Sequence, residues 1–291
     1  MLYLKDFLPR KQRQNHHKKH KTILSFMKRF IRPIAATAAA ALIAASCGVV
    51  SFTGRKQILL FSDSEITALS DESYADFMKT ASASTDIKAT ETLKEVGSRM
   101  VAALESYMKS QGNTNALNGL NWEFQLVKSD EVNAFCLPSG KIVFYEGILK
   151  YADTPDHIAV VMGHEMAHAI AKHGNERMSQ QTALDLLGNI AGEAIKAKKG
   201  EAAQQLFNLG FGLGTQAGIL LPYSRQHEYE ADKIGMYIMD IAGYDVNAAP
   251  AFWEKMTDGK SAEKSDFFST HPSDSKRIAA LKEAISTKPT F

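Results

Sequence analysis

His164, Glu165 and His168 stand in the order H-E-x-x-H within His164-Glu165-Met166-Ala167-His168. On a helix, residues four apart share a face, so both imidazoles can reach one metal ion. The glutamate between them can serve as general base toward water that the metal activates, the donor pattern of a zinc-dependent peptide hydrolase. The flanking residues predict the helix. Thr154-Pro155-Asp156 supplies an N-cap, a proline at the first helical position and an acid in the first turn. Ile158 to Met162 is apolar, Ala167 and Ile170 continue it, and Lys172-His173-Gly174 reads as a basic last turn and a glycine stop. Two histidines and a glutamate buried on such a helix are costly unless a metal or hydrogen-bond partners satisfy them.

A catalytic zinc takes three protein ligands and keeps a fourth position open. The extended pattern H-E-x-x-H-x-x-G-x-x-H is absent, because position 171 is Ala and position 174 is Gly. His173 falls one residue early. It is expected off the ligand face, as a cation near the helix-end carbonyls. A second helix is expected from Tyr223 through Asp232 and on to Met239, after Pro222. Glu228 and Asp232 are four apart on it. Glu228 can bind the metal, and Asp232 can hold a histidine ligand by its other ring nitrogen. Glu230 lies two residues, at ~100° each, from Asp232 and is expected in solvent or in an ion pair. His227 competes as a ligand, although its adjacency to Glu228 makes joint coordination awkward. Arg225 is a candidate for stabilising an anion or for a structural ion pair.

Short β-rich runs precede the first helix: Leu126-Val127-Lys128 and Lys141-Ile142-Val143-Phe144-Tyr145, with Pro138-Ser139-Gly140 as a turn between them. One reading is a plain hairpin with Asn133 as a turn residue. The other is a strand edge that takes an extended peptide as an added strand, with Asn133 and Ala134 touching substrate. His271, in Thr270-His271-Pro272-Ser273, is open in the same way. It is either part of a helix lead-in or a histidine near the zinc. In the second case it would stabilise an oxyanion or cover the open metal position.

H-E-M-A-H followed by E-x-x-A-D at Glu228 to Asp232 resembles the gluzincin metallopeptidases typified by HtpX and the CAAX prenyl proteases. Thr53-Gly54-Arg55-Lys56-Gln57, Asn133 to Val143, and Ser269-Thr270-His271-Pro272 with Arg277 are similar to further blocks of that family. Cys136 and Ser139 depart from it, standing where small or apolar residues and glycine are frequent. The resemblance implies one zinc per chain on His164, His168 and Glu228. It implies Glu165 as base and Asp232 as the brace of a ligand. It also implies an α+β fold: a mainly helical zincin-type domain with a small sheet whose edge strand lies beside the zinc helix. The soluble, lipid-anchored bacterial relatives work on outer-membrane proteins. The expected function is therefore hydrolysis of misfolded or misassembled envelope proteins. The alternative is an outer-membrane protein assembly factor with chaperone-like binding and latent protease activity. A non-peptidase zinc hydrolase is the remaining class.

The beginning of the chain bears on location. Residues 1–26 are polar and basic, and Met27-Lys28-Arg29-Phe30-Ile31-Arg32 then opens a second basic run. Ile34 to Ala45 is an apolar, alanine-rich stretch too short to span a bilayer, ending in small residues before Cys47. This resembles a bacterial lipoprotein signal, with Met27 as the start and Cys47 as the lipidated first mature residue. Residues 1–46 would then be extension plus signal, 47–62 a lipidated tether, and 63–291 the metallopeptidase domain. The expected location is the periplasmic side of the envelope, at the outer membrane. The expected partners are protein or peptide substrates and the outer-membrane assembly machinery.

Residues 1–46 hold ten Lys or Arg and one acid, so of the whole chain's net +2 the remaining 245 residues carry −7. That balance gives no support to nucleic-acid binding. With Cys47 lipidated, Cys136 is the one remaining cysteine, so no internal disulfide can form. Thr182 to Leu221 is rich in Ala, Gly and Leu and is expected as a core helix pair, with a lid or membrane-contacting hairpin as the alternative.

Overall fold

The computed structural model describes residues 47–190, 224–258, 267, 271 and 275–291. Their order begins with strands β1 (Cys47–Val49) and β2 (Lys56–Ile58), then helices α1 (Asp63–Thr80) and α2 (Ile87–Ser110). Strands β3 (Glu123–Val127), β4 (Ala134–Cys136) and β5 (Lys141–Tyr145) follow. The remainder is helical: α3 (Pro155–Ile170), α4 (His173–Ile190), α5 (Arg225–Ile241), α6 (Ala248–Asp258) and α7 (Ser275–Ser286). The fold is α+β, as expected. The lipoprotein signal and most of the Ala/Gly/Leu-rich stretch, residues 191–221, lie outside the described residues.

Helices α3 and α5 are the centre of the molecule, and two glycines bring them together. A Cβ on Gly163 would stand 2.8 Å from the Gly235 carbonyl oxygen, and one on Gly235 would stand 2.7 Å from Gly163 C. No side chain fits there, so the backbones touch. That contact decides the site, because His164 and His168 follow one glycine and Glu228 and Asp232 precede the other. α3 starts where the sequence predicts, and α5 starts at Arg225, two residues after the expected Tyr223. Thr154 and Ser224 sit in extended backbone and accept from the His157 and His227 amides at 3.1 and 3.2 Å.

α3 is buried on all sides from Ile158 to Ile170. One flank rests on α2, whose Leu93, Val96, Met100, Leu104 and Met108 recur at helical spacing and are all buried. Truncating one of these to alanine removes roughly 2–5 kcal/mol of stability. The other flank meets the three-stranded sheet, ordered β3-β5-β4.

The two β-rich runs do not form the plain hairpin. β3 runs parallel to β5, and the strand antiparallel to β5 is β4, with Ala134 opposite Phe144 and Cys136 opposite Ile142. The Pro-Ser-Gly turn therefore joins β4 to β5. Gly140 takes the left-handed φ of +87° that closes this turn. β5 is central, and β4 is the outer strand that packs on α3.

Two further expectations are corrected. The zinc helix does not stop at Gly174. It ends at Ile170, Lys172 adopts φ +55°, and α4 begins at once with His173. The Lys172 ammonium, bound to Asp63 at 2.6 Å, anchors this left-handed turn. The stretch expected as a tether is in part a two-stranded antiparallel hairpin, with Val50 donating to Arg55 O and Gly54 donating to Val50 O.

Candidate metal centre

Four side chains converge between α3, α5 and the segment before α7. One nitrogen each of His164, His168 and His271 and one oxygen of Glu228 lie within 4.8 Å of one another, all buried. His164 Nε2 is 3.1 Å from His168 Nε2 and 3.2 Å from His271 Nδ1. Glu228 Oε1 is 3.3 Å from His271 Nδ1 and 3.5 Å from His168 Nε2, and its Oε2 is 3.5 Å from His164 Nε2. A tetrahedron with corners about 2.0–2.1 Å from its centre has edges of ~3.3 Å. The observed separations bracket that value, so the donor set fits a zinc-sized ion.

The polar atoms in the cluster need such an ion. Glu165 Oε1 is buried without a hydrogen-bond partner, with His271 Nε2 at 3.6 Å. Glu228 Oε2 is 3.0 Å from Arg277 Nη1 but is not aligned for a hydrogen bond. Burial would raise the Glu228 carboxyl, yet His271 and Arg277 outweigh it and hold the group ionised well below the usual range. Burial drives His168 toward the neutral form that ligates. Burial also opposes charge on His164, but Asp232 and Glu228 prevail and hold the metal-free ring up to about 9. Loading a metal there must displace a proton. Glu165 is pushed up by burial against the pull of His271 and His164, toward the range of a useful general base. A backbone hydrogen bond from Cys136 in β4 also reaches Glu165.

Asp232 stands where the sequence expects it. Its Oδ1 is 2.9 Å from His164 Nδ1, so that ring turns Nε2 to the cluster. His271 joins the cluster. Its ring stacks on Phe267 at 4.4 Å, its amide donates to Phe267 O, and the Phe267 amide donates to Val132 O beside β4. Asn133 and Ala134 lie at the start of the outer strand, where the Asn133 side chain accepts from the Ala134 amide at 2.9 Å. Arg225 is exposed on the first turn of α5. The cation at the centre is instead Arg277, which holds Asp232 through two hydrogen bonds of 2.7 and 2.8 Å. Its guanidinium also lies 4.5 Å over the Trp253 ring.

Two other readings change, those of His227 and His173, and Glu230 takes the ion-pair alternative expected for it. His227 is no ligand, since its Nε2 contacts Glu176 at 3.1 Å. Glu230 is a buried ion-pair partner of Arg55 at 2.6 Å and of His173 at 3.0 Å. His173 is not a surface cation. It is buried, with Nδ1 2.9 Å from His168 Nδ1, and burial outweighs Glu230 to lower its pKa to about 4. The signal that could have found it is its position directly after a residue forced left-handed, and a sequence does not show that.

Fold and site together define a metallopeptidase of the zincin kind. Residues 88–285 match the model of peptidase family M48, and the chain belongs to that family, whose metal is zinc. Among curated relatives, it is 33% identical over 202 residues to "Mitochondrial metalloendopeptidase OMA1" of Schizosaccharomyces pombe, covering 66% of this chain and 57% of that protein. It is 29% identical over 245 residues to the human "Metalloendopeptidase OMA1, mitochondrial", covering 81% and 45%. It is 31% identical over 166 residues to the "Beta-barrel assembly-enhancing protease" of Escherichia coli, covering 54% and 33%. The chain thus spans between a third and somewhat over half of the length of these relatives.

Proposed function

We propose that this protein is a zinc-dependent endopeptidase of the lipid-anchored branch of its family. It would stand on the periplasmic side of a bacterial envelope and cleave misfolded or misassembled envelope proteins. The single observation that carries the hydrolytic reading is the buried cluster of three imidazole nitrogens and one carboxylate with the Glu165 carboxylate beside it. His164, His168 and Glu228 would hold the zinc, whose Lewis acidity lowers the pKa of water and polarises a carbonyl. Glu165 takes a proton from the attacking water and passes it to the leaving amine. β4, the outer strand against α3, offers main-chain groups on which an extended peptide can lie, with Asn133 and Ala134 at its start. Arg277 and Asp232 hold the α5 carboxylate and His164 still while this happens.

His271 at the fourth corner favours a covered resting state over an oxyanion role. A water activated by the zinc would need the place beside Glu165 that the His271 ring now takes, with His271 Nε2 3.6 Å from Glu165 Oε1. His271→Ala should then speed cleavage of an unfolded protein, whereas an oxyanion role requires it to slow.

The envelope assignment draws on the lipoprotein-like residues before Cys47 and on the relative named for β-barrel assembly; the OMA1 relatives are named as mitochondrial. Among the described residues, no helix is long and apolar enough to cross a membrane. The test is proteomics of envelope proteins in cells carrying wild type or Glu165→Gln. Fragments that depend on Glu165 and come from unassembled outer-membrane proteins are expected. An unchanged fragment set would overturn the assignment. Rescue of an assembly defect by Glu165→Gln would favour the binding function instead.

A further inference from the structure

A second buried cluster lies behind the metal centre. Arg55, in the β1–β2 hairpin, forks across two carboxylates. Its Nε donates to Glu230 Oε2 at 2.6 Å, and its Nη1 and Nη2 donate to Glu176 at 2.8 and 2.6 Å. Thr53, two residues earlier, also donates to Glu230. Glu230 contacts His173 Nε2 at 3.0 Å, and Glu176 contacts His227 Nε2 at 3.1 Å. The His173 and His227 rings stack at 4.4 Å and 23°. The other nitrogen of His173 meets Nδ1 of His168 at 2.9 Å.

The protons on this chain can be placed by elimination. His168 turns Nε2 to the metal cluster, so its one proton sits on Nδ1. The Nδ1 of His173 must then accept, which leaves the His173 proton on Nε2, aimed at the Glu230 carboxylate. A neutral imidazole has one donor and one acceptor, and both are used. Glu230 stays in place because Arg55 and Thr53 bind its two oxygens.

We infer that His173, Glu230 and Arg55 are positioning residues for the metal ligand His168, so that the N-terminal hairpin is a working part of the metal centre. The inference rests on the reading of His164, His168 and Glu228 as the zinc ligands. His164 is braced by a carboxylate directly; His168 is braced by a histidine, then a carboxylate, then a guanidinium. Arg55 lies outside the residues 88–285 that match the family model and 121 residues from Glu176 in sequence. The Lys172 turn makes this possible, because it sets His173 back under His168.

The test uses the zinc-loaded full chain. Long-range proton–nitrogen spectra of its histidine rings should show His168 protonated at Nδ1 and His173 protonated at Nε2 only. His173 protonated at Nδ1 would overturn the inference without any mutation. Zinc loss to an excess of chromophoric chelator gives the second readout. His173→Phe keeps the ring stack on His227 but removes both hydrogen bonds. It should weaken zinc binding about 10–100-fold, as should Arg55→Met. His173→Gln, which keeps an acceptor and a donor, should restore most of the loss. Cobalt in place of zinc should show altered visible bands in the Phe variant and near wild-type bands in the Gln variant. If His168→Ala loses zinc while His173→Phe and Arg55→Met keep wild-type affinity, the positioning role is wrong and the ligand set stands. If His168→Ala itself holds zinc as tightly as wild type, the ligand set is wrong.

Discussion

The two histidines of the zinc helix are held from opposite sides and by different means. His164 is braced by Asp232, one turn beyond Glu228 on α5, and Asp232 is clamped by Arg277 of α7. His168 is braced by His173, Glu230 and Arg55, which lead to the N-terminal hairpin. The first brace is short, charged and built from late elements of the chain. The second is longer, passes through a neutral ring and depends on the earliest described element. The contrast separates what local spacing can specify from what only tertiary structure supplies.

The largest expected effect on the first brace is at Arg277. Arg277→Met leaves Glu228 and Asp232 buried without their cation, which should cost about 3–5 kcal/mol. Urea unfolding of the metal-free protein measures this, and a change near zero would mean that the carboxylates are satisfied elsewhere. Asp232→Asn keeps the shape but weakens the hold on His164 Nδ1. Zinc affinity should fall roughly 10–100-fold, read by chelator competition. If it falls much less than in His173→Phe, the second brace is the stronger one.

Gly163→Ala tests the frame that both braces share. A methyl 2.8 Å from the Gly235 carbonyl must push α3 from α5, at about 1–3 kcal/mol in thermal or urea unfolding. Zinc affinity should drop with it, since His164 and Glu228 separate. Unchanged stability would show that the helices can shift at no cost.

The smallest effect is a pH dependence at the contact between the hairpin and α4. Burial raises the Glu176 carboxyl, but its bonds to His227 and Arg55 win and hold it at about 2. The folded value lies below the unfolded value of about 4.3. The stabilisation is therefore present above pH ~4.3 and is lost as pH falls toward about 2. The stability gap between wild type and Arg55→Met should narrow over that window in metal-free protein. A gap that stays constant would place the Arg55 contribution elsewhere.

Most of the first brace is legible in the sequence. H-E-x-x-H and the Glu228–Asp232 pair each sit one helical turn apart, and a helix converts such spacing into a shared face. The N-cap at Thr154 places the first of these helices, and Pro222 marks the approach to the second. The second brace is not legible there. Local pattern puts His173 at the end of a continuing helix, because nothing in Lys172 announces a left-handed turn. Arg55 reaches Glu230 across 175 residues, a pairing that no local period encodes. The sheet misleads for the same reason. The two β-rich runs are parallel, and the short strand between them, Ala134–Cys136, takes the hairpin position because pairing register is a tertiary property.

Zinc-edge X-ray absorption on the loaded full-length protein tests the metal centre most directly. One zinc per chain is expected, with three imidazole nitrogens and one carboxylate oxygen at about 2.0–2.1 Å. A sulfur shell at about 2.3 Å, or a shell lacking the imidazole scattering of His164 and His168, would contradict it.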